Sequence, residues 1–344
     1  MPANALQEAV RRLARRESLS AEQSAAAFRV VMAGDGTPVL IAALLAALRV
    51  KGETPAEIAG AAQALRDAMT VLVAPDADAL VDTCGTGGGA IATFNISTAA
   101  ALVAAGAGVR IAKHGNRSFT TRSGSADVLE ALGVAIDIPV ERMVPVLEAA
   151  GIVFMFAPTM HPAMRHVGPV RRELGMETVM NMVGPLANPA RAGRQVVGVS
   201  DPARAELIAG ALASLGSVHA LVVHGEPGMD EISPMGQSSV IEIRGGALSR
   251  WTIDPDEHGF ALASASELAG GEPAQNAALI TAVLEGSASA GATAAVLLNA
   301  AAAIYVSGRV PTLAAGVSVA RESVTSGAAM ASLERLRRAT AGTG

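Results

Sequence analysis

Gly108-Val109-Arg110-Ile111-Ala112 runs directly into Lys113-His114-Gly115-Asn116-Arg117-Ser118. The first five residues have the short, β-branched and aliphatic character of a buried strand, and the next six are polar and cationic, so a strand ends where a binding loop begins. Runs of the same kind recur at 151–156 (GIVFMF), 195–199 (QVVGV) and 219–224 (HALVVH), separated by Ala-rich stretches long enough to be helices. Strands alternating with helices of ten or more residues predict βαβ units and an α/β domain with a mainly parallel central sheet. Ligands of such open sheets sit outside the carboxyl ends of the strands, which puts Lys113 and its neighbours at a crevice.

Upstream the texture is different. Ser20-Ala21-Glu22-Gln23 has the form of a capping box, Thr54-Pro55-Ala56-Glu57 repeats it with proline at the first helical position, and Thr37-Pro38 opens a helix between them. Val39, Leu40, Ala43, Leu44 and Leu48 recur at helical spacing, so each helix buries one face. These features predict a small N-terminal helical domain over 1–73 and a large α/β domain over 74–344. The stretch from Met164 to Glu177, helical and charged, interrupts the strand pattern, and residues of about 164–190 are expected to pack back on the N-terminal helices. The cleft between the two domains is then the default place for a substrate.

Composition narrows the function. With 51% apolar residues, 2% aromatics and 36 glycines in 344 residues, the core is built from small and branched aliphatic side chains. A net charge of −5 with no run of Lys or Arg argues against nucleic acid as a partner. The single cysteine, Cys84, rules out an intrachain disulfide and suits a reducing compartment. The N-terminal residues read as an amphipathic helix rather than a signal peptide, so a cytoplasmic location is expected. Residues 292–306 are almost wholly apolar but short, interrupted by Asn299 and flanked by Gly291 and Gly308, which predicts a buried helix and not a membrane span.

Three segments suit anions. Asp82-Thr83-Cys84-Gly85-Thr86-Gly87-Gly88-Gly89 follows an apolar run, and successive glycines let backbone N–H groups approach a phosphate closely; alone, such a cluster also serves ordinary tight turns. Thr93-Phe94-Asn95-Ile96-Ser97-Thr98 precedes a helix expected over 99–105, where hydroxyl and amide donors would join free N–H groups and the positive end of the dipole. Simple capping needs only one of those residues. The third is Lys113 to Ser118, continued by Ser123-Gly124-Ser125-Ala126-Asp127. A lone surface lysine is usually just solvated, and its spacing to two other anion-friendly loops is what singles this one out.

The glycine loop, TFNIST, KHGNRS, SGSADVLEALG, GPLANP and HGEPGMDE occur here in the order found in anthranilate phosphoribosyltransferases, and the resemblance runs over nearly the whole chain. It implies a fold similar to that of nucleoside phosphorylases of the pyrimidine type, a homodimer joined through the helical domain, and transfer of the phosphoribosyl group of phosphoribosyl diphosphate to anthranilate on the route to tryptophan. By the same resemblance Gly85, Gly88, Gly89, Thr93, Asn95, Ile96, Ser97, Thr98, Lys113, His114, Gly115, Asn116, Arg117, Ser118 and Ser125 surround phosphoribosyl diphosphate. Asn116 and Arg171 would hold anthranilate, with Gly85, His114 and His161 lining its pocket, and Ser97, Asp230 and Glu231 match positions that bind Mg2+.

Those roles agree with the chemistry of the residues. Adjacent carboxylates at Asp230 and Glu231 suit a hard, oxygen-loving cation that keeps bonds to phosphate and water, although most acidic pairs are simply solvated turns. A planar guanidinium such as Arg171 can grip a carboxylate bidentately; Arg165 and Arg172 in the same stretch are equally able to be surface charges. His161, in a His-Pro step, would be structural in most proteins. The chain departs from the family at the end of its glycine loop, where Gly89-Ala90 stands in place of the usual aspartate and glycine, and the missing acid is expected to change how tightly substrate and magnesium are held. Two rivals remain at this level: a pyrimidine-nucleoside phosphorylase-like enzyme, which lacks use for the Asp-Glu pair, and a non-catalytic nucleic-acid binder, which wants a basic face.

Overall fold

A computed structural model describes residues 4–118 and 122–341. The chain opens with α1 (Ala5–Ala14), α2 (Ala21–Ala33), α3 (Pro38–Lys51) and α4 (Pro55–Asp67). Both expected capping boxes form, at Ser20 with Gln23 and at Thr54 with Glu57. Glu57 does more than cap: fully buried, it also accepts from Leu19 N at 2.9 Å and Lys51 Nζ at 2.9 Å, so one acid ties three helix ends together. A side chain at Gly60 would put its Cβ 2.2 Å from Ala21 O, which explains why α2 and α4 can cross at backbone distance.

The sheet follows. Its strands are β1 (Val81–Gly85), β2 (Ile111–Gly115), β3 (Ile152–Phe156), β4 (Arg194–Gly198), β5 (His219–Gly225), β6 (Ser238–Arg244) and β7 (Ala247–Ile253), in the spatial order β3-β2-β1-β4-β5-β6-β7. β3 through β5 in that order are parallel, and β6 and β7 add an antiparallel hairpin at one edge. The order reverses between β1 and β4, which makes a switch point at the carboxyl ends of those two strands.

Helices α5 (Ile96–Gly106), α6 (Ser125–Ala131), α7 (Val140–Ala150) and the one-turn α8 (Ala157–Met160) connect the first strands. A 3₁₀ turn over Pro162–His166, α9 (Gly168–Leu174) and α10 (Met180–Val183) then lead to β4, so the expected helix over 164–177 is broken at Val167 and again at Gly175, which adopts a left-handed φ of 60°. Val167, Val170, Met180 and Val183 from this stretch share one core with Leu6, Phe28, Leu44 and Ile58 of the N-terminal helices. α11 (Pro202–Ser214), α12 (Ala265–Leu268), α13 (Pro273–Leu284), α14 (Ala290–Val306), α15 (Leu313–Thr325) and α16 (Ala328–Thr340) complete the chain.

Strand alternation divides the apolar residues between two cores. Val197 and Val222 join the core of the N-terminal helices and α11, whereas Val196, Leu221 and Val223 join the core around α5 and α14. In α14 every residue except Ala290 and Thr293 is buried, so the helix is enclosed by protein, as its composition predicts. Among the described residues no helix is long and apolar enough to cross a membrane.

Three local boundaries differ from expectation. β1 begins before the glycine loop and takes in Asp82 to Gly85; β2 carries Lys113, His114 and Gly115 inside the strand and not beyond it; and α5 starts at Ile96, so Ser97 and Thr98 lie in its first turn.

Candidate active site

The carboxyl ends of β1 and β4 meet at Gly85, which pairs with Gly198. Across that junction lies the turn carrying Asp230 and Glu231, so close that a Cβ on Gly198 would fall 1.6 Å from Asp230 O and one on Gly225 2.5 Å from Glu231 O. Glycine at both strand ends is therefore what lets the acidic turn lie on the sheet edge. The glycine loop folds over the same point: Thr86 N donates to Gly198 O at 2.9 Å, Gly87 N to Asp230 Oδ2 at 2.9 Å, and Ala90 N to Gly228 O at 2.9 Å. Gly87 and Gly88 hold left-handed φ values of 71° and 78°, a conformation open to glycine at little cost. A Cβ at Gly89 would stand 3.1 Å from Asp230 Oδ1, so the glycine found there lies directly against the acid.

From the other side Ser97 N donates to Glu231 Oε1 at 3.1 Å, and Lys113 Nζ reaches Ser97 Oγ and Thr83 Oγ1, both at 3.3 Å, as well as Thr83 O. The glycine loop, the start of α5, β2 and the acidic pair thus form one connected cluster. Glu231, Ser97, Thr83 and Cys84 also line a cavity of about 10 Å³, room for about one water.

Burial governs the charges. Asp82 and Lys113 are buried together, and desolvation pushes Asp82 up and Lys113 down against their mutual attraction. Glu231 is pushed up to about 8, first by burial and then by repulsion from Asp230, with Lys113 opposing; burial also raises Asp230, opposed by the Gly87 N–H. Three carboxylates and one ammonium leave the cluster short of positive charge. No group of three or more His, Cys, Asp or Glu among the described residues is placed to hold a metal alone. A cation here would take Asp230, Glu231 and the Ser97 hydroxyl, all hard oxygen donors, and complete its shell with phosphate and water oxygens, the habit of magnesium.

A second cluster is apolar in character. The His114 and His161 rings lie with centroids 4.8 Å apart and planes tilted by 55°, and His114 Nε2 is buried without a hydrogen-bond partner among the described residues. Burial holds His114 down to about 3 and His161 to about 4, so both are neutral imidazoles. Asn116 turns its Oδ1 to Arg117 N at 2.8 Å, and its carbonyl accepts from Ser125 Oγ at 3.3 Å. Among the described residues Arg171 makes no ion pair; its hydrogen bond is from Nη2 to Asn181 Oδ1 at 3.5 Å, leaving most of its fork unused, and no hydrogen bond or ring contact joins it to His114, Asn116 or His161.

Other expected residues are placed as follows. Asn95 is held through its amide, donating to Ser123 O at 3.0 Å and accepting from Asn276 Nδ2 at 2.9 Å. Thr93 bridges Ala269, and Thr98 buries a hydroxyl that has no partner among the described residues. The Ile96 side chain sits in the core, so only its backbone can face a ligand. Ser118 N donates to Asp127 Oδ2 at 3.2 Å. Arg117 is taken up by Asp127 and Glu130, at 2.9 and 2.5 Å, and lies over the Phe156 ring. A side chain at Gly115 would meet Ser125 Oγ at 2.2 Å, so that glycine lets the 125 turn close on β2.

Sequence reasoning missed the residues that support the site from within. Asp82 accepts from His114 N at 3.1 Å and from Asn188 Nδ2 at 2.7 Å, while Asn188 also donates to Ala112 O at 2.9 Å, so this pair locks β1 to β2 directly behind Lys113. Asp82 stands at the head of the glycine loop and Asn188 in the GPLANP segment, but nothing local pairs the two.

A helical bundle beside a mainly parallel sheet, with a glycine loop and an acidic pair at the switch point, defines a class, and the family models agree: the helical bundle domain of a glycosyl transferase family matches residues 7–69 and its a/b domain matches 77–330. An anthranilate phosphoribosyltransferase of Rubrobacter xylanophilus is 50% identical, covering 97% of each chain. The crystal structure of the anthranilate phosphoribosyltransferase of Thermus thermophilus matches with a TM-score of 0.91 at 44% identity, covering 96% of this chain and 99% of that one. That of Saccharomyces cerevisiae in complex with PRPP and Mg matches at 0.88 and 28%, covering 97% of each. The chain belongs to the anthranilate phosphoribosyltransferase family, and it is an enzyme that transfers the phosphoribosyl group to anthranilate. The nucleoside phosphorylase alternative finds no support among these relatives.

Proposed function

We propose that this transfer takes place at the junction of β1, β2, β4 and the acidic turn, with magnesium as the cofactor. The observation that carries the reading is the shared cluster in which Gly87 N meets Asp230, Ser97 N meets Glu231, and Lys113 Nζ meets Ser97 Oγ. Asp230, Glu231 and Ser97 would hold the cation, whose chemistry is to neutralise the departing diphosphate. The N–H groups of Gly85, Gly88 and Gly89, with Thr93, Asn95, Ser97, Thr98, Lys113 and Ser125, would bind and orient phosphoribosyl diphosphate. Donors fixed in advance cost no reorganisation as charge builds on the leaving group.

Anthranilate would enter beside the adjacent, neutral rings of His114 and His161, with Asn116 and the largely unused fork of Arg171 available for its carboxylate. An aryl amine is almost entirely unprotonated near neutrality, so the attack on the anomeric carbon needs no strong base, and rate comes from positioning the two substrates. We further propose a cytoplasmic homodimer assembled through the helical domain, where Val39 and Val50 of α3 are each 77% exposed.

Two experiments test the assignment. The double variant Asp230→Asn, Glu231→Gln should lose magnesium-dependent turnover by about a thousandfold or more; unchanged rates would remove the pair from the site. Arg171→Ala should weaken anthranilate binding by about tenfold or more, the value of a lost charge-assisted bond, and leave phosphoribosyl diphosphate binding intact. Isothermal titration with each ligand reads this, and equal weakening of both would overturn the role of Arg171.

A further inference from the structure

Asn299 is the one strongly polar side chain in the run from Ala294 to Val306 of α14, and it is 3% exposed. Placing an amide there is costly unless each of its polar atoms is satisfied. Its oxygen accepts from Ile232 N at 3.0 Å, and its Nδ2 donates to Ile232 O at 2.9 Å and to Ala295 O at 2.9 Å. The side chain thus treats Ile232 as a neighbouring strand would, engaging both of its backbone groups. Ile232 directly follows Glu231, and its own side chain is fully buried.

The consequence lies one peptide away. On the sheet side the carbonyls of Asp230 and Glu231 press against Gly198 and Gly225. From the helix side Asn299 fixes the next peptide plane. Glu231 and Asn299 also line the same cavity of about 10 Å³, along with Ser97, so no intervening layer of side chains absorbs a movement of one relative to the other. We infer that Asn299 is a positioning residue: it sets the Glu231 carboxylate, through Ile232, in the orientation that would receive the cation. This rests on the reading of Asp230 and Glu231 as the cation's carboxylates.

The test compares Asn299→Asp, Asn299→Leu and Glu231→Gln with the parent protein. Asn299→Asp keeps the shape and one acceptor but loses the donors to Ile232 O and Ala295 O; Asn299→Leu removes every bond and keeps the helix apolar. Binding of Mn2+ in the presence of inorganic diphosphate, followed by electron paramagnetic resonance without turnover, should weaken about tenfold in both Asn299 variants. Their KM for magnesium should rise by a similar factor while the KM for anthranilate stays within about twofold, and amide exchange at Ile232 should accelerate. A residue that only supported packing would lower the melting temperature and leave cation affinity of the folded fraction alone; that result in either variant overturns the inference. If Glu231→Gln itself binds Mn2+ like the parent, the acidic pair is not the cation site and the reading beneath the inference falls instead. Should Asn299→Leu fail to fold, Asn299→Asp decides alone.

Discussion

Two acids mark opposite ends of the β5 and β6 pair, and they are treated in opposite ways. Glu242, near the start of β5, receives His219 Nε2 at 2.7 Å, Tyr305 Oη at 2.9 Å and Trp251 Nε1 at 2.9 Å. Burial would raise its pKa, yet these donors together hold it below the ordinary range. Glu231, beyond the far end of β5, receives one N–H, from Ser97, stands beside Asp230, and is pushed up to about 8. Both acids are reached by α14 or its contacts, through Tyr305 in one case and through Asn299 by way of Ile232 in the other. The same scaffold can therefore satisfy an acid completely or leave it short of donors. A satisfied acid welds strands together; an undersupplied one keeps an oxygen open for another partner, the role proposed for Glu231.

The sharpest way to break that contrast is to disturb the seat of the acidic turn without touching an acid. Gly198→Ala would place a Cβ 1.6 Å from Asp230 O, which the turn can relieve only by moving. A displacement of about an ångström at positioned groups costs on the order of a hundredfold in rate. We expect kcat/KM to fall by about that factor while far-ultraviolet circular dichroism remains that of a folded chain. Near-normal kinetics in a folded Gly198→Ala protein would mean that the turn's placement does not matter to the chemistry.

The reverse perturbation is at Glu242. Glu242→Leu would leave His219, Tyr305 and Trp251 without their shared acceptor, at about 1–3 kcal/mol for each donor left buried and unpaired. We expect urea denaturation to show a loss of about 3–5 kcal/mol, with the KM for magnesium unchanged. A shift in magnesium dependence would show that the two ends of the strand pair are coupled.

The contrast also explains what could be read from the chain. Strands β2, β3, β4 and β5 were legible because both their faces are buried, which makes each a short apolar run. The β6–β7 hairpin is missing from that reading although Gly245-Gly246, with φ of 55° and 83°, is a hairpin signal between alternating segments. The loops of the site were legible because glycine clusters and helix-start hydroxyls act locally. Asp82, Asn188 and Asn299 were not, because their partners lie far along the chain, as Asn188 does from Asp82, and a single polar residue in an apolar run has no local meaning. Lys113 was found for its charge but misplaced by a residue or two, since its burial depends on Thr83 and Ser97 across the sheet.

The smallest effect expected concerns the histidine pair, which burial keeps neutral. His114 and His161 are held at about 3 and about 4 in the folded protein, below the ordinary histidine value near 6.5. Between about pH 6.5 and 4 the unfolded chain therefore binds more protons, and stability falls as the pH is lowered through that window, by up to about 1.4 kcal/mol per pH unit for each ring. Glu231 runs the other way: its folded pKa is raised to about 8, so the folded chain holds the extra proton below that value and gains stability as the pH falls. The two trends partly cancel in the parent protein, and a single pH curve cannot separate them. His161→Asn removes one ring and leaves Glu231 as it is. Denaturation at pH 7 and pH 5 without magnesium should then show a smaller acid-induced loss in the variant, by about 2 kcal/mol; an equal loss in both would mean that His161 accepts its proton in the folded state and is not a dry, neutral ring.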